Sequence, residues 1–72
     1  MMNNQDVKLI REIVSNGGAK YTAGNIDRTR YQRLVDLGWL SPVIMNKMDI
    51  AYEATEAGRS AARSGNSVER RL

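Results

Sequence analysis

Cysteine and histidine are both absent from this chain. Without cysteine there is no disulfide framework and no thiolate metal site. Without histidine the commonest general base, zinc ligand and near-neutral pH switch are missing together. Apolar runs are a few residues long, far short of the roughly 20 residues that span a bilayer, so no membrane association is expected. The opening Met1-Met2-Asn3-Asn4-Gln5-Asp6 has no basic region leading into an apolar stretch; a signal peptide is not expected and a cytoplasmic location is. With 72 residues there is room for one domain with a small core. The expectation is a non-enzyme with no cofactor, no metal and no evident small-molecule effector.

What is present is ordinary globular composition with a basic excess, +3 overall and a pI near 9.7. That balance permits nucleic-acid binding without requiring it. The charge is segregated. Residues 20–33 carry Lys20, Arg28, Arg30 and Arg33 against Asp27 alone. Residues 34–58 set Asp36, Asp49, Glu53 and Glu56 against Lys47, and residues 59–72 turn basic again.

Periodicity organises the chain. Val7, Ile10, Ile13 and Val14, flanked by Leu9, place one apolar face on a helix from about Asn4 to Asn16, which Gly17-Gly18 would stop. Ala19-Lys20-Tyr21-Thr22 is an edge strand or a turn. A second helix is predicted over Asp27–Leu37, capped by Asp27 or Asn25, with Tyr31, Leu34 and Val35 buried. Gly38 fits its C′ position and Trp39 its C″, opposite Leu34. Two extended pieces follow, Trp39–Met45 and Met48–Ala54, around a turn at Asn46-Lys47; the lone proline, Pro42, argues for an edge strand. Thr55 can cap a third helix, Glu56–Ser64. Residues 1–64 thus read as the domain and 65–72 as a flexible tail.

This order resembles the winged helix-turn-helix family. Arg30-Tyr31-Gln32-Arg33-Leu34-Val35-Asp36-Leu37-Gly38-Trp39-Leu40 is similar to the family's recognition helix and exit. Tyr52-Glu53-Ala54-Thr55-Glu56-Ala57-Gly58-Arg59 resembles its closing strand-to-helix signature, with Ala54 where leucine is usual. The likeness spans about Asp6 to Ala62. It implies a small, mostly α, α+β fold: three helices plus a two- or three-stranded β-wing. Only Thr22–Ile26 is available for the positioning helix that normally precedes the recognition helix, so that helix is expected to be shortened or missing.

The resemblance implies double-stranded DNA as partner. Arg28, Thr29, Gln32 and Arg33, with Arg30, match the exposed side of the recognition helix, where arginine can engage guanine and glutamine adenine. Lys20 and the wing-tip residues Asn46 and Lys47 would contact phosphates or the minor groove. The implied function is a transcriptional regulator or a small architectural, excisionase-like factor, as a homodimer or with a protein partner. The alternative is a winged helix used for protein–protein interaction, a phage- or plasmid-borne accessory protein or adaptor. The basic residues also admit a plain reading, a solvated face with Arg33–Asp36 and Asp27–Arg30 pairs. Tyr31, Tyr21, Trp39, Met45 and Met48 read as core or edge filler, and Asp49, Glu53 and Glu56 as solvated carboxylates.

Overall fold

The computed structural model describes the backbone of residues 4–70 and the side chains of residues 4–63. Helix α1 runs Asn4–Ser15. Its apolar residues fall at helical spacing, but the buried set is Leu9, Ile10 and Ile13, with Val7 and Val14 half-buried. Leu9 therefore belongs to the core face, not its flank. The helix ends as Gly17-Gly18 predicts: the Gly18 amide donates to the Ile13 carbonyl at 2.9 Å and Gly17 to Val14 at 3.3 Å, satisfying two orphan carbonyls.

Strand β1 (Ala19–Thr22) follows at once, which settles that segment as a strand. No helix forms between it and α2 (Thr29–Asp36). Helix α2 is shorter than the predicted Asp27–Leu37, and Arg28 holds the N-cap position without a side-chain capping bond. Asp27, one residue earlier, does the capping work by accepting the Thr29 amide at 3.0 Å. The exit matches expectation. Trp39 N–H donates to Leu34 and Gly38 N–H to Val35, both at 2.9 Å, and Gly38 takes φ +82, a conformation a β-carbon would strain.

Strands β2 (Leu40–Ile44) and β3 (Ile50–Ala54) complete an antiparallel sheet ordered β1-β3-β2. Thr55 donates its amide to the Trp39 carbonyl and Met45 to Asp49. The register pairs Val43 with Ala51 and Pro42 with Tyr52; with Trp39 and Met45 bonded to the opposite strand's ends, the backbone groups of odd residues in β2 face β3 and those of even residues face the open edge. Pro42 thus stands at the middle of the open edge, removing the donor that a stray strand would need.

Thr55 caps α3 (Glu56–Arg70), its hydroxyl accepting the Gly58 amide at 3.0 Å while donating to the Gly38 carbonyl at 2.7 Å. The helix runs past the predicted end at Ser64. Gly65 costs only about 1 kcal/mol inside a helix, so its presence does not force a stop. The tail predicted over 65–72 falls on this last stretch and on residues outside the described ones.

The core lies where α1, α2 and α3 meet the inner sheet face. Ile10 and Leu34 are fully buried at its centre, ringed by Trp39, Leu40, Tyr52 and Ala62. Tyr31 stacks on Tyr52, ring centroids 5.1 Å apart, an offset contact that adds to simple burial. Gly58 lets α3 approach: a β-carbon there would collide with the Trp39 carbonyl oxygen and lie 3.2 Å from Ile10 Cδ1. The result is an α+β fold in a winged-helix-like layout. Among the described residues no helix is long and apolar enough to cross a membrane.

Candidate nucleic-acid interface

The sequence places its basic residues on and around α2, and the fold commits two of them, Arg28 and Arg33, to partners within the chain. Arg33 projects from the middle of α2 toward α1. Its Nε donates to Asp6 Oδ1 at 3.1 Å and its Nη2 to Asp6 Oδ2 at 2.7 Å. Asp6 is buried while the Arg33 side chain remains half exposed. Two parallel bonds of this kind fix orientation as well as charge. Hydrogen bonding to Asp6, reinforced by its charge, raises the Arg33 pKa. The Arg33–Asp36 pair of the plain reading does not form; Asp36 instead accepts from Gln32 at 3.0 Å.

Arg28 is a three-way clamp. Its Nε donates to the Thr22 hydroxyl at 2.9 Å, and Nη2 donates to the carbonyls of Gly24 and Met48, each at 2.8 Å. Thr22 in turn donates to the Ile50 carbonyl at 2.7 Å. One guanidinium therefore joins the end of β1, the connecting loop and the β2–β3 hairpin. The hairpin turn is closed by Asn46, whose Oδ1 accepts the Met48 and Asp49 amides and whose Nδ2 donates to Asp49 Oδ2. Asp49 also accepts the Gly24 amide at 3.2 Å. The loop 23–28 is thus strapped to the wing.

Thr29 is committed to Asp27 through both its hydroxyl, at 2.6 Å, and its amide. Those two bonds, the hydroxyl first, hold the Asp27 carboxyl below its usual range, with the charge of Arg30 adding in the same direction. Arg30 lies over the Tyr31 ring with Cζ 5.3 Å from its centroid, and a 3.3 Å contact to the phenol oxygen is its only hydrogen bond in the described structure. Its pairing with Asp27 does not reach ion-pair distance. Lys20 and Lys47 are exposed. Neither has an ion-pair partner among the described residues.

Of the eight residues singled out from the sequence, Lys20, Arg30 and Lys47 are cations with no carboxylate at ion-pair distance among the described residues. Arg28 and Asn46 are built into the frame, and Arg33, Thr29 and Gln32 are held by aspartates. Arg70 and Arg71, the tail cations, lie where no side chain is described.

Two features escaped the sequence. Asp6 is a buried ion-pair member, which no local pattern signals because its partner lies 27 residues away. The wing is apolar and exposed: Ile44 is 69% exposed, Met45 51% and Met48 48%. Met45 and Met48 are therefore not core filler, and Tyr21, at 59%, is likewise on the surface. The unbroken run Val43-Ile44-Met45 around a two-residue turn was the available signal.

The described residues form a small α+β module in a winged-helix-like layout, and among them no group of three metal-ligating side chains occurs. The chain belongs to the DUF3860-like family, whose family model matches residues 3–64. No curated protein matches it.

Proposed function

We propose that the protein binds double-stranded DNA, with the N-terminal end of α2 toward the duplex, as a transcriptional regulator or a small architectural factor of the cytoplasm. The observation that carries the reading is the distribution of uncommitted cations. Lys20 and Arg30 stand together on one side of α2, lining the same groove. Lys47 stands in the hairpin turn that Arg28 ties to the start of α2. Cations without a carboxylate neighbour release counterions when they meet phosphate, and that release drives non-specific duplex binding.

The bonds of Arg28 and Arg33 within the chain shift the expected role of α2. Base readout by these two arginines would require breaking bonds that hold the fold. The supported mode is phosphate contact through Lys20, Arg30 and Lys47, since Thr29 and Gln32 too are bonded within the chain, to Asp27 and Asp36. A single short helix reads few base pairs, so the proposed unit on DNA is a homodimer or a complex with a protein partner.

Fluorescence anisotropy with a labelled mixed-sequence duplex tests this. Binding should weaken with salt at a log–log slope of about −2.7 for each copy of the chain bound, the value for three phosphates. Lys20→Ala, Arg30→Ala and Lys47→Ala should each reduce that slope by about 1. Absence of binding at low salt, or a triple variant that binds like wild type, would overturn the reading.

The exposed hairpin favours a second reading, a protein-interaction module. Val43, Ile44, Met45 and Met48 present apolar surface of the kind that marks protein contacts. That reading predicts a partner that stays bound in salt high enough to strip DNA.

A further inference from the structure

We infer that the free edge of β1 takes up an extended segment of a partner protein, added antiparallel to the sheet and carrying an acid opposite Lys20. The ladder shows which groups are open. The Ala54 amide donates to the Gly18 carbonyl, and the register sets Lys20 opposite Tyr52 and Thr22 opposite Ile50. Alternation then turns the backbone N–H and C=O of Ala19 and Tyr21 away from β3. β1 is an outer strand in the order β1-β3-β2, and its Ala19, Lys20 and Tyr21 are exposed.

The two edges of the sheet differ. Pro42 blocks the middle of the β2 edge. β1 has no proline, and a hollow of about 340 Å³ lies beside it, between α1 and α2. Leu9, Ile13 and Tyr31 behind the hollow are buried in the core and offer no apolar anchorage. Strand addition needs none there: main-chain bonds supply the affinity, and alternate side chains the selection.

Charge and register define the segment. Across an antiparallel ladder, the residue between the two bonded pairs lies opposite Lys20, where side chains come closest. Lys20 and Arg30 line the hollow against Glu12, so an aspartate or glutamate fits there. Its neighbours on the segment fall on the other face, beside Tyr21. That face already holds Tyr21, Ala51 and Val43 in one row, which a β-branched or aromatic residue extends. A second copy of this chain fits less well. Pairing Ala19 with Tyr21 across a two-fold axis sets Lys20 against Lys20, a destabilising like-charge pair. Registers centred on Ala19 or Tyr21 need residue 17 or 23 extended, yet Gly17 has φ +100 and the strand ends at Thr22. None of this requires duplex binding.

The experiment is titration of the intact chain with the end-blocked peptide Thr-Val-Glu-Val-Thr and its Thr-Val-Lys-Val-Thr counterpart. The acidic peptide should bind about tenfold or more tighter, and Lys20→Glu should reverse that order. Methylating both valine backbone nitrogens, which face Ala19 and Tyr21, should weaken binding about tenfold or more, because each loses a donor. Methylating the glutamate nitrogen, which points away from β1, should weaken it about threefold at most. Amide exchange at Ala19 and Tyr21 should slow with the acidic peptide, while Lys20 and Thr22, bonded to β3, stay as they were. No binding of the acidic peptide at millimolar concentration, equal binding of the two peptides, loss on methylating glutamate but not the valines, or protection confined to other residues would each overturn the proposal. So would a chain that dimerises through this edge unaided, with Ala19 and Tyr21 protected as its concentration rises, since the occupant would then be a second copy.

Discussion

Asp6, in the first turn of α1, accepts both prongs of the Arg33 guanidinium from α2, at 3.1 and 2.7 Å. The pair holds α2 against the N-terminal helix across 27 positions of sequence. Removing Arg33 leaves a buried carboxylate short of its charge partner, a costly state even where the pair itself contributes little. Arg33→Ala should lower the melting temperature, Arg33→Lys should recover only part because the second prong is lost, and a double-mutant cycle with Asp6→Ala should show favourable coupling. Duplex affinity, corrected for the unfolded fraction, should hold. An Arg33→Ala protein that melts like wild type and loses DNA would reverse the assignment.

Arg28 has the larger structural role. Three acceptors on three segments converge on it, and hydrogen bonds from a charged group contribute about 1.5–3 kcal/mol net. Arg28→Ala should cost about that much in urea denaturation. Its amides at Gly24 and Asp49 should exchange faster with solvent, because the loop and hairpin lose their common clamp.

Gly58→Ala tests the approach of α3 to the end of α2. Helix propensity alone favours alanine by about 1 kcal/mol, yet the added carbon would strike the Trp39 carbonyl oxygen. Backbone cannot yield as a side chain can, so overpacking should dominate and destabilise by about 1–3 kcal/mol. In a domain of this size each kcal/mol lowers the melting temperature by about 4–8 °C. A more stable variant would show that the two segments part at no cost.

Asp27 gives the fold an acid-sensitive joint. Thr29 donates two bonds to its carboxylate, depressing the folded pKa below the ordinary 3.8. A group depressed on folding stabilises above its unfolded pKa, and that contribution fades as pH falls through the folded value. Wild type should therefore exceed Asp27→Asn in thermal stability near neutrality, with the gap closing below about pH 4. A gap that is constant across that range would remove the carboxylate charge from the account.

The ends of elements were legible because they are local. Gly17-Gly18, Gly38-Trp39 and Thr55 each act on backbone groups within a few residues, and each bonds as its position predicts. The alternation Met48, Ile50 and Tyr52 against Asp49, Ala51 and Glu53 likewise placed Tyr52 on the inner face of β3, although Met48 at its start lies exposed in the turn. Helix α1 was legible as a helix, though not in the role of Leu9, since the side of an apolar stripe that sinks deepest depends on what packs against it.

The candidate surface was less legible, and for one physical reason. A basic run on a helix reports charge, not whether that charge is already spent. Lys20, Arg30 and Lys47 could be told from Arg28 and Arg33 only once the fold had brought Asp6, Thr22 and Met48 within reach. Those partners lie 6 to 27 residues away in the chain, and no periodicity encodes such pairings. Local pattern was enough for the three helices, the β2–β3 hairpin, the glycine and threonine ends and the basic character of α2, but not for β1 or for the bounds of α2 and α3. The tertiary structure decided which cations hold the molecule together and which face outward, because that depends on side chains meeting across the fold.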